Sequence, residues 1–265
     1  MSGQAAHLLA EEHLPFPPKV EDFYLPDFFT GSTTTFWATK VTTMVVLSVV
    51  LIVAFFLYAN RRPQLVPTKR QWIAESVYGF ARNNIGVNLI GEEGVRYAPY
   101  LATLMCFLLV NNLWGIIPLF QLSPMSHIAF PAFLALISWV LFNWVGIRKH
   151  GFATYMKHTL IPPAPWFILP LLIPIEFVST LVFRPLTLAL RLFANMFAGH
   201  VILLVFTVGG FAMINANGLL FPVSVLSWAL TVVLTLLEAF IGVLQAYLFT
   251  VLTASYIQGA LAEGH

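Results

Sequence analysis

The stretch Phe183-Arg-Pro-Leu-Thr-Leu-Ala-Leu-Arg191-Leu-Phe-Ala-Asn195-Met-Phe-Ala-Gly-His200 places two arginines in a region otherwise dominated by Leu, Phe, Val and Ala. Histidines aside, the only charged side chains between Lys157 and Glu263 are Glu176, Arg184, Arg191 and Glu238. Insertion assays put the cost of an arginine at the bilayer centre at roughly 2.5–3.5 kcal/mol. A chain that keeps one there has a partner or a task for it.

Composition agrees with that setting. The chain is 59% hydrophobic and 9% charged, with mean hydropathy +0.84, whereas soluble domains carry about 25% charged residues. The reading is an all-α integral membrane protein with the bilayer as solvent. A net charge of +2 and the lack of a large basic cluster leave no case for nucleic acid. Cys106 is the single cysteine and cannot form an intrachain disulfide. No Walker A motif, dinucleotide fingerprint or metal-ligand cluster is present, so neither a cofactor nor a metal is expected.

Residues 1–35 read as an extended, extracytoplasmic N-terminal arm. They carry Glu11, Glu12, Glu21, Asp22 and Asp27 with four prolines, and lack the basic start and apolar core of a signal peptide. Residues 36–265 form one membrane domain. The first span, 36–59, is about 36 Å of helix, enough to cross ~30 Å of hydrocarbon. Arg61, Arg62, Lys69 and Arg70 follow it, which puts that end in the cytoplasm and the acidic arm outside. Residues 68–85 then predict an amphipathic helix on the cytoplasmic surface, with Ile73, Val77, Phe80 and Ala81 on one face. Gly86, Gly91 and Gly94 are expected to break it.

Further spans are expected at 97–118, 128–147, 175–208 and 222–256, which makes five crossings and a cytoplasmic C-terminus. Asn111-Asn112, inside the second, reads better as helix–helix hydrogen bonding than as a site. The last two spans exceed the bilayer thickness at ~1.5 Å per residue and should be tilted or broken, with a kink at Pro185. No internal repeat supports an inverted-repeat transporter.

Opposed running directions sort the buried polar groups by depth. Glu176 falls near the cytoplasm, Arg191 near the middle and His200 toward the outside. The last span runs back, so His200 and Glu238 share one depth, Arg191 and Gln245 another. Helical phase at about 100° per residue puts Thr180, Arg184, Thr187, Arg191 and Asn195 on one stripe, with His200 opposite Arg191. Glu238, Gly242 and Gln245 form a second stripe. Each polar residue also has a structural reading. Arg184 can snorkel, Thr187 and Asn195 can bond to the backbone, and His200 with Glu238 can be a structural pair. Arg191 is too deep to snorkel and does not lose its proton. It is a fixed positive charge that needs an anion, better supplied by another protein than by Glu238.

At these residues the sequence resembles subunit a of the rotary proton-translocating ATP synthase, bacterial type. The match runs through Pro185 to His200, then Glu238-Ala-Phe-Ile-Gly-Val-Leu-Gln245, then Asn111-Asn-Leu-Trp-Gly-Ile-Ile-Pro118, and covers nearly everything from Phe36 onward. The resemblance implies a non-catalytic stator subunit whose two proton half-channels face a ring of c subunits. Arg191 matches the family's essential arginine. Asn195, His200, Glu238 and Gln245 match the outer half-channel, and Glu176 and Thr187 the inner one. Many bacterial members have Glu where this chain has His200 and His where it has Glu238, an exchange that preserves an acid–imidazole pair. The implied partners are c-ring subunits with a membrane carboxylate, peripheral-stalk b-type subunits, other ATP synthase subunits and lipid. The implied location is the bacterial plasma membrane. A self-contained proton-coupled transporter is the alternative, and it predicts transport by the purified chain alone.

Overall fold

The computed structural model describes residues 40–117, 123–160, 168–216 and 220–262. The arm at 1–35, Pro118 and the prolines at 162–165 lie outside them. Among the described residues there is no strand, only helix and short connections.

The first helix, α1, spans Lys40–Ala59. Next comes α2, Lys69–Gly79, with Thr68 as N-cap, accepting from the Gln71 backbone N–H. It does not stop at Gly86 as expected. It widens into a π-helix over Phe80–Ile90 and ends at Gly91, whose φ of 88° suits glycine. Helix α3 is Gly94–Leu113, followed after the turn at 114–117 by a 3₁₀ turn at Pro124–Ser126. Helices α4, Ala129–His150, and α5, Phe152–Leu160, precede α6, Leu169–Val178. A π-turn, Ser179–Phe183, joins α6 without a break to α7, Arg184–Ala216. The last helix, α8, is Phe221–Leu261.

Four of these stretches are long and apolar enough to cross a membrane: Val41–Ala59, Ala129–His150, Leu169–Ile214 and Phe221–Leu261. Helix α3, which holds most of the second crossing expected at 97–118, is not among them. It carries Arg96, Pro99, Asn111 and Asn112, which lower its apolarity. The two longest stretches cover 46 and 41 residues. At ~1.5 Å per residue each runs well beyond ~30 Å of hydrocarbon.

The irregularity expected at Pro185 falls just before it, in the π-turn at Ser179–Phe183. A proline ring clashes with the carbonyl four residues earlier, here Leu181, and it has no N–H to give. Widening the preceding turn relieves both problems.

Helices α7 and α8 form an antiparallel pair. Gly210 lies against Trp228, Gly199 against Glu238 and Met196 against Gly242, so residue numbers rise on one helix as they fall on the other. Ser227 donates to the Phe206 carbonyl at 2.7 Å in the same register. Helices α3 and α4 close over this pair around Leu104, Leu108, Leu188, Leu192, Met196 and Phe249. The face of α8 turned the other way exposes Leu236, Phe240, Val232 and Val233. A face this apolar is at home against lipid or another apolar protein, not water.

Of the face expected on the membrane surface, Ile73 and Phe80 are exposed, Val77 is half-buried and Ala81 is buried. Gln71, Ala74, Ala81 and Ile85 turn inward, while Trp72, Ile73 and Phe80 are exposed. In a bilayer the lipid-facing side is as apolar as the packed side, so apolarity alone does not choose between them.

Candidate functional site

His200 and Glu238, assigned one depth from the sequence, are in contact. Nδ1 of His200 faces Oε1 of Glu238, with both side chains buried. Two glycines make the room. A methyl on Gly199 would stand 3.1 Å from Glu238 Oε1, and one on Gly115 would stand 2.5 Å from His200 Cε1. The other ring nitrogen, Nε2, accepts a hydrogen bond of 2.8 Å from the backbone N–H of Ser123. Ser123 is itself fixed, since its hydroxyl donates to the Asn111 carbonyl at 3.0 Å and accepts from the Met125 N–H at 3.2 Å. His127, at the end of the same turn, lies outside the long helices; burial pushes it below the usual imidazole range.

Asn112 crosses from α3 to donate to the Gly242 carbonyl at 2.9 Å. Gly242 sits between Glu238 and Gln245 on the buried stripe of α8, as its phase predicted. A methyl at Gly242 would stand 3.3 Å from Asn112 Cβ, so the missing side chain is what lets α3 approach. Asn111 works locally, donating to the Phe107 carbonyl and accepting from Ser48 on α1. The pair therefore ties helices together, the role favoured for it above. Gln245 is buried and makes no hydrogen bond among the described residues.

Arg191 stands apart. It lies on the exposed side of α7, with Asn195 one turn further on, and has no ion pair or hydrogen bond among the described residues. Leu186 and Leu190 beside it are exposed and apolar. Expected at the depth of Gln245, it makes no hydrogen bond to it. Thr187 is exposed and bonds to the Phe183 carbonyl at 2.7 Å, which is its structural reading. Arg184 does not snorkel freely, since its guanidinium rests 5.5 Å from the centre of the Tyr256 ring on α8. Glu176 is half-buried and accepts from Thr180 at 3.2 Å.

The single stripe expected from Thr180 to Asn195 is thus split. Thr180 is buried, Arg184 half-buried, and Thr187, Arg191 and Asn195 exposed. Thr180 lies inside the π-turn Ser179–Phe183, which rotates it relative to the four residues that follow on α7. Ser123, Gly115 and Gly199 were missed as site residues. The Ser-Pro pair at 123–124 signals a local turn, but nothing in sequence points that turn at a residue so far along the chain.

Gly115→Ala should disable the pair without touching its members. Its methyl must displace a buried ring held on both sides, so His200 loses Ser123, Glu238 or both. Overpacking of this kind costs about 1–3 kcal/mol of stability. Thermal denaturation of the purified protein reads the loss. A melting temperature equal to wild type would show that the ring gives way without cost.

The buried acid–imidazole pair and the exposed arginine, with no ion pair among the described residues, lie in a chain with four helical stretches long and apolar enough to cross a membrane. A family model described as ATP synthase A chain matches residues 41–258. The ATP synthase subunit a of a Nocardioides species is 41% identical over 261 residues, covering 94% of each chain. That of a Parafrankia species is 49% identical over 220 residues, 82% of this chain and 74% of its own. That of Streptomyces lividans is 40% identical over 253 residues, 94% and 89% respectively. The chain belongs to the ATP synthase subunit a family.

Proposed function

We propose that this chain is the stator half of the rotary proton path of an ATP synthase. Members of this family are membrane subunits that move protons for the complex and catalyse nothing alone, and their partners are other ATP synthase subunits. Five crossings, with α3 as the second and α2 on the cytoplasmic surface, leave the N-terminus outside and the C-terminus inside a bacterial plasma membrane. The two longest helices lie tilted against a c-ring, and peripheral-stalk b-type subunits hold the chain still.

Protons come from outside past His200, Glu238, Asn195 and Gln245 to a c-subunit carboxylate. Once neutral, that carboxyl can pass through lipid, where its ionised form is far too costly. After the ring turns, the proton leaves toward the cytoplasm by way of Thr187 and Glu176. Arg191 lies between the two paths. Its charge favours the ionised carboxylate, so an arriving subunit sheds its proton. The same charge repels a proton crossing directly. Each charge moved through ~100 mV releases about 2.3 kcal/mol, which turns the ring only if that shortcut is closed.

The observation that supports this reading most is Arg191 itself, exposed on an apolar flank with no partner among the described residues. An anion from outside the chain fits it. Reconstitution tests the proposal: the purified chain alone in vesicles should move no protons in an organised way, and the assembled complex should pump on ATP addition. Coupled transport by the chain alone would favour the self-contained transporter.

A further inference from the structure

Resting on the half-channel reading above, we infer that the transported proton is carried at this pair by the Glu238 carboxyl, while His200 stays a neutral positioning residue whose tautomer is set by the Ser123 backbone N–H.

The inference follows from counting donors and acceptors. An amide N–H can only donate, so the His200 Nε2 that receives it at 2.8 Å presents a lone pair. The ring's proton is then on Nδ1, aimed at Glu238 Oε1. An imidazolium would carry hydrogens on both nitrogens and set one against the Ser123 N–H. Ser123 is fully buried and pinned through its hydroxyl to Asn111 and Met125, so the N–H is not free to turn away. The titratable groups facing His200 are Glu238 on α8 and His127 beyond the 3₁₀ turn. Arg191 lies on the far side of α7.

An additional proton therefore goes to the carboxylate. Both carboxylate oxygens of Glu238 are buried without a hydrogen bond among the described residues, and Oε1 is the one in contact with His200 Nδ1. Binding at Oε2 forms one O–H bond and converts the carboxylate to the neutral acid, while Nδ1–H stays against Oε1. Release breaks that O–H bond and restores the carboxylate. The ring keeps one proton throughout, and no other bond changes.

The test compares His200→Gln with Glu238→Gln in ATP-driven pumping by vesicles carrying the whole complex. Glutamine offers a neutral donor and acceptor, which is all this assignment asks of His200. His200→Gln should keep pumping within about tenfold of wild type, the cost of one imperfect hydrogen bond. Glu238→Gln should lose about 100-fold or more, as removal of a proton-transfer group does. Equal loss in both, with the complex assembled, overturns the inference but leaves the half-channel in place. Loss confined to His200→Gln makes the imidazole the carrier and also overturns it. Normal pumping by both removes the pair from the proton path altogether, and the half-channel reading falls with it. Should His200→Gln fail to assemble, Ser123→Pro decides. Ser123 has φ −83° and ψ 128°, which proline tolerates, and proline has no N–H. Against Ser123→Ala, which loses the same hydroxyl but keeps the N–H, the proline variant should slow as the outer side is acidified. An imidazolium can then form and hold Glu238 ionised. Identical pH dependence in the two overturns the inference.

Discussion

Replacing Arg191 with alanine should abolish ATP-driven proton pumping while leaving the complex assembled. The residue lies on the exposed side of α7 and holds nothing in the described chain together, so its removal opens no core cavity and orphans no partner. Stability should not fall. In the proposed mechanism, what disappears is the fixed charge that makes an arriving carboxyl give up its proton and keeps protons from crossing between the two paths. Without it, a proton imposed on one side has a route to the other that turns nothing. Two readings are needed: acidification on ATP addition, and passive leak under an imposed gradient. Lost pumping with added leak supports both roles of Arg191. Lost pumping without leak keeps the rotor and places the barrier elsewhere. Normal coupled pumping would sink the mechanism and make Arg191 a tolerated surface charge. Arg191→Lys sharpens the result. It keeps the charge but not the planar, permanently protonated fork, so it should pump poorly if the guanidinium itself is needed.

How much of this was legible in the sequence depends on the range of the interaction. The meeting of His200 with Glu238 followed from two spans running in opposite directions, because depth in a membrane is counted along the chain. The buried stripe Glu238, Gly242, Gln245 followed from regular α-helical phase, and α8 is regular there. The stripe on the preceding helix was misread for the opposite reason. A five-residue π-turn sits inside it, and no composition signal fixes where a helix widens; Pro185 gave the neighbourhood only. Ser123 was invisible because its contribution to His200 is a backbone N–H, which every non-proline residue possesses. On α2 and the π-helix that continues it, Trp72, Ile73 and Phe80 are as apolar as a packed face while lying outside it. Hydrophobic periodicity separates core from water, and here water is not the alternative.

The glycines at 86 and 94 were read as breaks in a helix, and they prove to be a contact. A methyl placed on Gly94 would lie 2.1 Å from the Gly86 carbonyl oxygen, 2.6 Å from its carbon and 3.0 Å from Ile90 Cβ. The obstruction is mainly backbone, so no rotamer change can relieve it. Either the π-helix Phe80–Ile90 or the start of α3 must move. Moving them opens the cluster of Ile85, Leu101 and Ala254, which joins both elements to α8. Gly94→Ala should therefore lower the stability of the complex by about 3 kcal/mol, the upper part of the usual overpacking range. Gly79→Ala is the matched control. It is helical, a methyl there would meet nothing within 4 Å, and alanine in place of helical glycine stabilises by roughly 0.5–1 kcal/mol. Thermal denaturation of the purified complex, with the yield of assembled complex from membranes, compares them. The Gly94 variant should melt earlier and assemble poorly, while the Gly79 variant matches or exceeds wild type. Indistinguishable variants would mean that α3 can slide away from the π-helix without cost. The contact between the π-helix and α3 would then be a loose attachment, unable to hold α8 in register for Glu238 to meet His200.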